Sequence, residues 1–592
     1  LLKISRESSF SSLSAIPSRV LALACPAVLL VCLLVIHPVV EMGINDDWSY
    51  IRTAQVLAQT GHISYNGWAT AMLGWQIFLG ALFIKLFGFS FTAVRASTLV
   101  VSLPGTYLLH RVLVRFGLSA WSAVAGTLLI VLSPIFLPIV FTFMSDVTGF
   151  FCLVLCLYAC QRALQSETTR QALAWLCFAA ISNAADGTVR QIAWLGVLVM
   201  VPCTAWMLRR RKGVLLAGAL LWIGGCVAIY ASVHWFLAQP YSIPEESIAR
   251  TIDRQVVVRL LHSLADLFLS LLLFVSPVLM LFVPRLFELP KKKSQPALLL
   301  IGMASVVAGI LGAVALHGRR SIDMLLLPWL GNIVTPYGIL RYHNIVGAEP
   351  LTLPLWLRLV ATLLVVAGAA CCAAVVILDR RPSEEKLGIQ VLTWAQTAGL
   401  LLPFFVAYIG LLIPRAAFRL VVDRYLPPLV LVGVVFALRY LQERNAGRRA
   451  VLVAFGLSGA FFAALTFYSL AGAHDVFSLG RARVLATERL TQAGVPATAI
   501  SGGMEYDGWT QVVTWGYIDE PHLKNPVGAY RPQPESHDPC RYWFLFLTPA
   551  VDPEYVLAYE PNSCYVPSQY APVAYSTWMP PYRQKVYIQR VR

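Results

Sequence analysis

The sequence predicts an α-helical polytopic membrane protein with about 13 transmembrane helices and a small extracytoplasmic α/β domain at its C-terminus. Three observations predict it. Hydrophobic residues fill 58% of the 592 positions and charged residues only 13%, far too apolar a balance for a soluble chain of this length. Apolar windows of about 20 residues recur from residue 20 to residue 470. Beyond residue 470 the pattern changes to turn residues and short runs rich in aromatic and β-branched side chains.

The first apolar run, 20–40, follows Lys3, Arg6 and Arg19 and is longer than a cleavable signal core, so it is expected to stay as a signal anchor with residues 1–19 cytoplasmic. Further spans are expected near 92–115, 119–140, 144–163, 170–185, 188–208, 213–237, 263–284, 296–316, 353–378, 391–413, 426–441 and 450–471. The apolar stretch 71–89 is decided by charge. If it does not cross, Arg111 and Arg115, Arg162 and Arg170, and the basic groups at 209–212, 291–293, 380–381 and 444–449 all face the cytoplasm. Only Arg319, Arg320 and the group at 415–424 are then left outside. The stretch is therefore expected to lie in the outer interface, with Lys85 at its polar edge. The same clustering explains the net charge of +16 without nucleic acid, which would ask for one continuous basic stripe.

This reading divides the chain into a cytoplasmic segment (1–19), a membrane domain (20–470) whose first outer loop is 41–70, and an extracytoplasmic domain (471–592). In the last, strands are expected at 542–547, 556–559 and 585–589, and a helix at 481–493 closed by Gly494. Ten of the twelve cysteines lie in apolar runs without metal-ligand spacing. Cys540 and Cys564 are the two in the tail, and a disulfide between them is expected in an oxidising compartment. A hairpin-like return through 542–559 would bring them together.

Asn45-Asp46-Asp47-Trp48 follows the first span. Adjacent carboxylates at the lipid–water boundary repel, which suits a general base, whereas a helix cap needs one acid only. Ser145-Asp146 opens a span that is apolar for several residues, and an acid there is either functional or an N-cap. Arg190 stands near the outer end of a span, and Arg415, Arg419 and Arg424 gather in one outer loop. Guanidinium groups so placed suit a phosphate ligand. The rival is snorkelling for Arg415 and Arg419, and an ion pair with Asp186 four residues earlier for Arg190. The ten histidines show no paired spacing and no GxxxxGK[ST] loop is present, which argues against nucleotide-driven transport.

Asp46-Asp47, Lys85-Leu86-Phe87-Gly88 with Arg95, Ser145-Asp146, Arg190-Gln191 and Asp423-Arg424-Tyr425-Leu426-Pro427 together resemble the GT-C superfamily. The likeness is to the protein O-mannosyltransferase-like family 39 and its relatives that modify lipid A with aminoarabinose or galacturonic acid. It covers roughly 20–470 and departs at the first loop, where the family has Asp-Glu and this chain Asp-Asp.

The resemblance implies an enzyme of the bacterial inner membrane that moves a sugar from a polyprenyl-phosphate donor to an extracytoplasmic protein, lipid or glycan, with inversion. By position Asp46 matches the catalytic carboxylate, with Asp47 and Asp146 supporting it; Lys85, Arg190, Arg415, Arg419 and Arg424 are the candidates for the donor phosphate. No cofactor is expected to be essential, although two carboxylates leave a divalent cation open. Two rival classes share the composition: a transporter or lipid-linked-sugar flippase, and a polysaccharide polymerase or ligase.

Overall fold

The computed structural model of the chain describes residues 17–243, 253–289, 295–305, 326–341, 343–379, 391–418, 421–444, 448–533 and 540–592. Arg419, and the basic groups at 291–293, 319–320 and 380–381 used in the charge argument, lie outside them.

Helix α1 (Ser18–Ile36) leads through a loop to α2 (Asp47–Thr60), α3 (Gly74–Phe87) and α4 (Phe91–Arg115). Next come α5 (Ala120–Val131), a single turn α6 (Leu137–Val140), α7 (Ser145–Leu164) and α8 (Thr169–Asp186). Helix α7 packs between α4 and α8 and is the most enclosed of the candidate spans. Then come α9 (Val201–Met207), α10 (Val214–Ala238), α11 (Arg254–Leu279), α12 (Val283–Leu286), α13 (Gln295–Ser305), α14 (Leu355–Leu378), α15 (Trp394–Phe418), α16 (Pro427–Gln442) and α17 (Arg448–Gln492).

Among the described residues, eight helices are long and apolar enough to cross a membrane. The gap between that number and the expected count of about 13 has local causes. The run 119–140 breaks after α5, where Ser133 and Pro134 interrupt the ladder. The run 188–208 is built of 3₁₀ (Gln191–Trp194), π (Gly196–Met200) and α9 segments in succession. The expected span 426–441 is the 16-residue helix α16, about 24 Å long, and part of the expected span 296–316 lies outside the described residues.

The tail differs from expectation in three respects, the last of them at the disulfide described below. The span at 450–471 and the helix expected at 481–493 are one continuous 45-residue helix, α17. The aromatic run at 542–547 is a 3₁₀ turn, Trp543–Phe546, in place of a strand. Its Phe544 is buried edge-on against Trp48 and Trp68 from the segment between α1 and α3, at 6.5 and 5.3 Å between ring centroids. The aromatic enrichment thus serves packing between domains, not a sheet.

The small domain is a sheet of β3 (Ile500–Ser501), β4 (Tyr555–Ala558), β5 (Tyr565–Pro567), β6 (Val573–Ser576) and β7 (Arg583–Val591), coming after a hairpin β1 (Val334–Thr335) and β2 (Gly338–Ile339) in the loop before α14. β4 runs parallel to β3 and antiparallel to β7, and β5 and β6 also pair with β7. Leu479, Ala482, Ala486 and Leu490, on one face of α17, pack on Leu557, Val586 and Ile588 of the sheet. Helix α18 (Met504–Thr514) completes the domain. Cys540 and Cys564 are joined by a disulfide, but no hairpin returns the chain between them: β4 finds its partners in β3 and β7.

Candidate functional site

Asp46 occupies the N-cap position of α2, yet its side chain makes no capping bond. Oδ1 accepts from Trp68 Nε1 at 2.9 Å and Oδ2 from Arg424 Nη1 at 3.0 Å. Asp47, the next residue, turns the opposite way. It is fully buried and receives Arg95 through Nε at 2.7 Å and Nη2 at 3.1 Å. Its oxygens also accept the backbone N–H groups of Ile44 and Phe143. Arg95 further ties Val40 and Met42 through their carbonyls. Asp47 therefore fixes the loop after α1 to α4 and, unlike Asp46, lines neither of the two cavities at the site.

Asp146 lies in the first turn of α7, where Met144 is the N-cap and no side chain caps the helix. Its Oδ1 is 2.8 Å from Arg190 Nη2 and 3.9 Å from Arg424 Nε. The anticipated alternative partner of Arg190, Asp186, instead accepts from Trp75 Nε1 at 3.1 Å. Helix α8 ends at Asp186, and the extended backbone of Arg190 (φ −147°, ψ 116°) turns its side chain back onto α7. There Gly149 makes room: a Cβ at that position would stand 2.9 Å from the Arg190 Cβ. Arg190 also donates to Ser145 Oγ at 3.1 Å.

Tyr425 gathers the cations. The guanidinium carbons of Arg190, Arg415 and Arg424 lie 5.3, 5.1 and 5.9 Å from its ring centroid, within cation–π range. Asp423 is fully buried and accepts from the backbone N–H groups of Ile333 and Val334 at 3.0 and 2.7 Å, fastening the β1 hairpin beside the arginines. Burial pushes its carboxyl up to about 7, against those hydrogen bonds and the Arg424 charge. Burial works against the Arg424 charge too, but Asp146 and Asp46 outweigh it and hold the guanidinium well above its usual value. The Tyr50 phenol is raised by burial and by Asp46, so it stays protonated as a donor.

Two cavities meet here. One, of about 310 Å³, is lined by Asp46, Asn45, Asn332, Asn344, Trp68 and Trp543 among others. The other, of about 410 Å³, carries Arg190 and Gln191 at one part and Leu195, Leu198, Leu411 and Leu412 elsewhere. Tyr50, Thr70, Arg415 and Arg424 line both. Among the residues expected at a site, Asp46, Asp146, Arg190, Arg415 and Arg424 are thus brought together. Lys85 is exposed in the last turn of α3 and lines neither cavity. Trp68 also lines the polar cavity, and Asn332 and Asn344, with Met504 and Trp543 from the small domain, complete it without having carried a signal in the sequence. Among the described residues no group of three or more His, Cys, Asp or Glu is arranged to hold a metal.

No protein-family model and no curated protein matches the chain. Solved structures similar to it include the archaeal oligosaccharyltransferase AglB from Archaeoglobus fulgidus in complex with an inhibitory peptide and a dolichol-phosphate (14% identity, 79% of this chain and 59% of that one, TM-score 0.38). ArnT from Cupriavidus metallidurans in the apo state is similar at 13% identity over 76% of this chain and 77% of that one, with a TM-score of 0.32. The S. cerevisiae protein O-mannosyltransferase Pmt1-Pmt2 complex bound to the sugar donor is similar at 14% identity and a TM-score of 0.31, over 38% of this chain and only 34% of that one. Similarities of this size carry no argument, and the functional reading rests on the site itself.

Proposed function

We propose that the chain is a glycosyltransferase that moves a sugar from a polyprenyl-phosphate donor to an acceptor on the extracytoplasmic face of the membrane. The observation that carries it is the junction of the two cavities: a carboxylate in the polar one, leucines in the other, and arginines between them. An amphiphile with an anionic group between a polar head and an apolar chain matches that order of surfaces. The motif resemblance points the same way.

In this reading the lipid chain lies along Leu195, Leu198, Leu411 and Leu412, its phosphate against Arg190, Arg415 and Arg424, and its sugar in the polar cavity. Asp46 takes the proton of the acceptor hydroxyl as its oxygen forms the new bond to the anomeric carbon. The bond from that carbon to the phosphate oxygen breaks, and the electron pair leaves with the polyprenyl phosphate. The arginines stabilise the charge that develops there. A single displacement inverts the anomeric carbon. Arg424, paired with Asp46 and close to Asp146, joins the base to the phosphate cradle.

Incubating the purified protein with labelled polyprenyl-phosphate sugars and candidate acceptors tests the proposal. Release of free polyprenyl phosphate together with sugar transfer supports it. Movement of intact donor across a vesicle membrane without cleavage replaces it with a flippase. The orientation is read by impermeant thiol labelling of single cysteines placed near Gly117 and in the tail of a protein cleared of native thiols. Labelling near Gly117 but not in the tail reverses it.

A further inference from the structure

The small C-terminal domain enters the polar cavity through Met504 and Trp543. Neither residue borders the apolar cavity. Trp543 is 41% exposed although it lines a cavity, and its ring is held on several sides. Its Nε1 donates to the His343 carbonyl at 3.3 Å, and its ring meets Phe544 edge to face at 5.2 Å. Phe544 meets Trp68 at 5.3 Å, and Trp68 donates to Asp46. A chain of aromatic contacts therefore runs from Trp543 to the carboxylate and fixes the ring relative to Asp46.

The opposing polar groups are fixed as well. Asn344 donates through Nδ2 to Glu505 Oε1 at 2.8 Å, and Glu505 is held by Arg483 at 2.9 Å, both fully inside the domain interface. The Asn344 carbonyl receives Met504 N–H at 3.2 Å and the Tyr542 hydroxyl at 3.0 Å. Gly503 permits this approach: its φ is +95°, and a Cβ there would lie 1.9 Å from the Asn344 carbonyl oxygen. The result is a pre-oriented aromatic ring beside the side-chain amides of Asn45, Asn332 and Asn344. A ring face for C–H groups with amides for hydroxyls is the surface a carbohydrate presents in reverse.

We propose that Trp543 is the specificity-determining platform on which the acceptor stacks, and that the acceptor is a glycan. This rests on the transferase reading and adds to it the class of acceptor. A lipid acceptor would need an apolar channel of its own; the side-chain amides would pair with a peptide backbone as well as with hydroxyls, and the exposed ring face, fitted to the C–H face of a sugar, is what favours a glycan.

The test uses the full chain in detergent with two probes measured by equilibrium binding: undecaprenyl phosphate for the donor cavity, and a panel of methyl hexosides and pentosides for the Trp543 subsite. At least one glycoside is expected to bind, with affinity falling on the order of tenfold in Trp543→Ala, equivalent to about 1.4 kcal/mol. Trp543→Phe is expected to recover most of that loss. Undecaprenyl phosphate affinity is expected to be unchanged in both variants, which a general loss of fold would not allow. Equal glycoside binding in wild type and Trp543→Ala, or no glycoside binding at all, overturns the proposal. So does binding of a serine- or threonine-containing peptide, in place of a glycoside, that is lost in Trp543→Ala. Glycoside binding that needs Trp543, combined with no affinity for undecaprenyl phosphate, leaves this subsite standing and removes the donor reading instead.

Discussion

Asp46 and Asp47 are neighbours in sequence with opposite environments: Asp46 opens onto a polar cavity and touches Arg424, while Asp47 is sealed against Arg95 with no exposed surface. The two are separable by mutation. Asp46→Asn is expected to abolish sugar transfer while thermal stability and donor binding stay close to wild type. Turnover at the wild-type rate in that variant removes Asp46 from the mechanism.

Arg95→Met and Asp47→Asn are expected to behave in the reverse manner. Removing one partner of a buried, hydrogen-bonded ion pair leaves the other charge unpaired, at a cost of about 3–5 kcal/mol. Lower yield and a lower Tm in detergent should appear in both single variants. A stable protein with selective loss of activity in Asp47→Asn would return this residue to catalysis.

Arg190→Lys keeps a charge but loses the planar fork that reaches both Asp146 and Ser145. Its affinity for polyprenyl phosphate is expected to fall, with Arg190→Ala falling further. Donor affinity unchanged in both variants is the result that excludes Arg190 from phosphate binding.

Arg424 places a guanidinium between the carboxylates of Asp46, which lines the polar cavity, and Asp146, which lies behind the arginines, the position a bridging cation would otherwise take. Transfer is therefore expected to survive exhaustive treatment with EDTA. Loss of activity on chelation, restored by one divalent ion, would show that the carboxylates bind metal during turnover.

These residues differ in how readable they were. Acids and arginines at the ends of apolar runs stand out because charge there is costly and must have a partner or a task, which is why Asp46, Asp146, Arg190 and Arg424 could be singled out. Only the motif resemblance favours Asp46 over its neighbour; the residue pattern does not decide between them, since the answer depends on Arg95, 48 residues beyond Asp47. Trp543 and Met504 looked like ordinary components of a small core. The break expected after the last span is absent for a different reason: the polar residues after 470 do not end the helix, and α17 continues through them.

The small domain should carry a pH signature from Asp507, which is fully buried and accepts from Ser501 Oγ and Gly502 N–H. Burial raises its carboxyl from 3.8 to about 7. Between those values the folded chain keeps a proton that the unfolded chain has lost, so this contribution to stability is full below pH 3.8 and is lost as pH rises through about 7. Unfolding measured across that range should show stability falling with rising pH, and Asp507→Asn should flatten the slope. An unchanged slope in the variant assigns the dependence to other groups.

Helix α17 carries the chain from the membrane domain into the small domain without a break over 45 residues, a rod of about 67 Å. Two bodies joined by such a rod share one rotational phase. Each residue added to an α-helix turns the downstream chain by about 100° and advances it by about 1.5 Å. One residue inserted near Gly472 is therefore expected to displace Trp543 from the polar cavity and to break the register of α17 against its neighbours, where Gly472 packs on Ile339 and Gly480 on Val40. The cavity wall is thus timed by the length of a helix that does not itself line it.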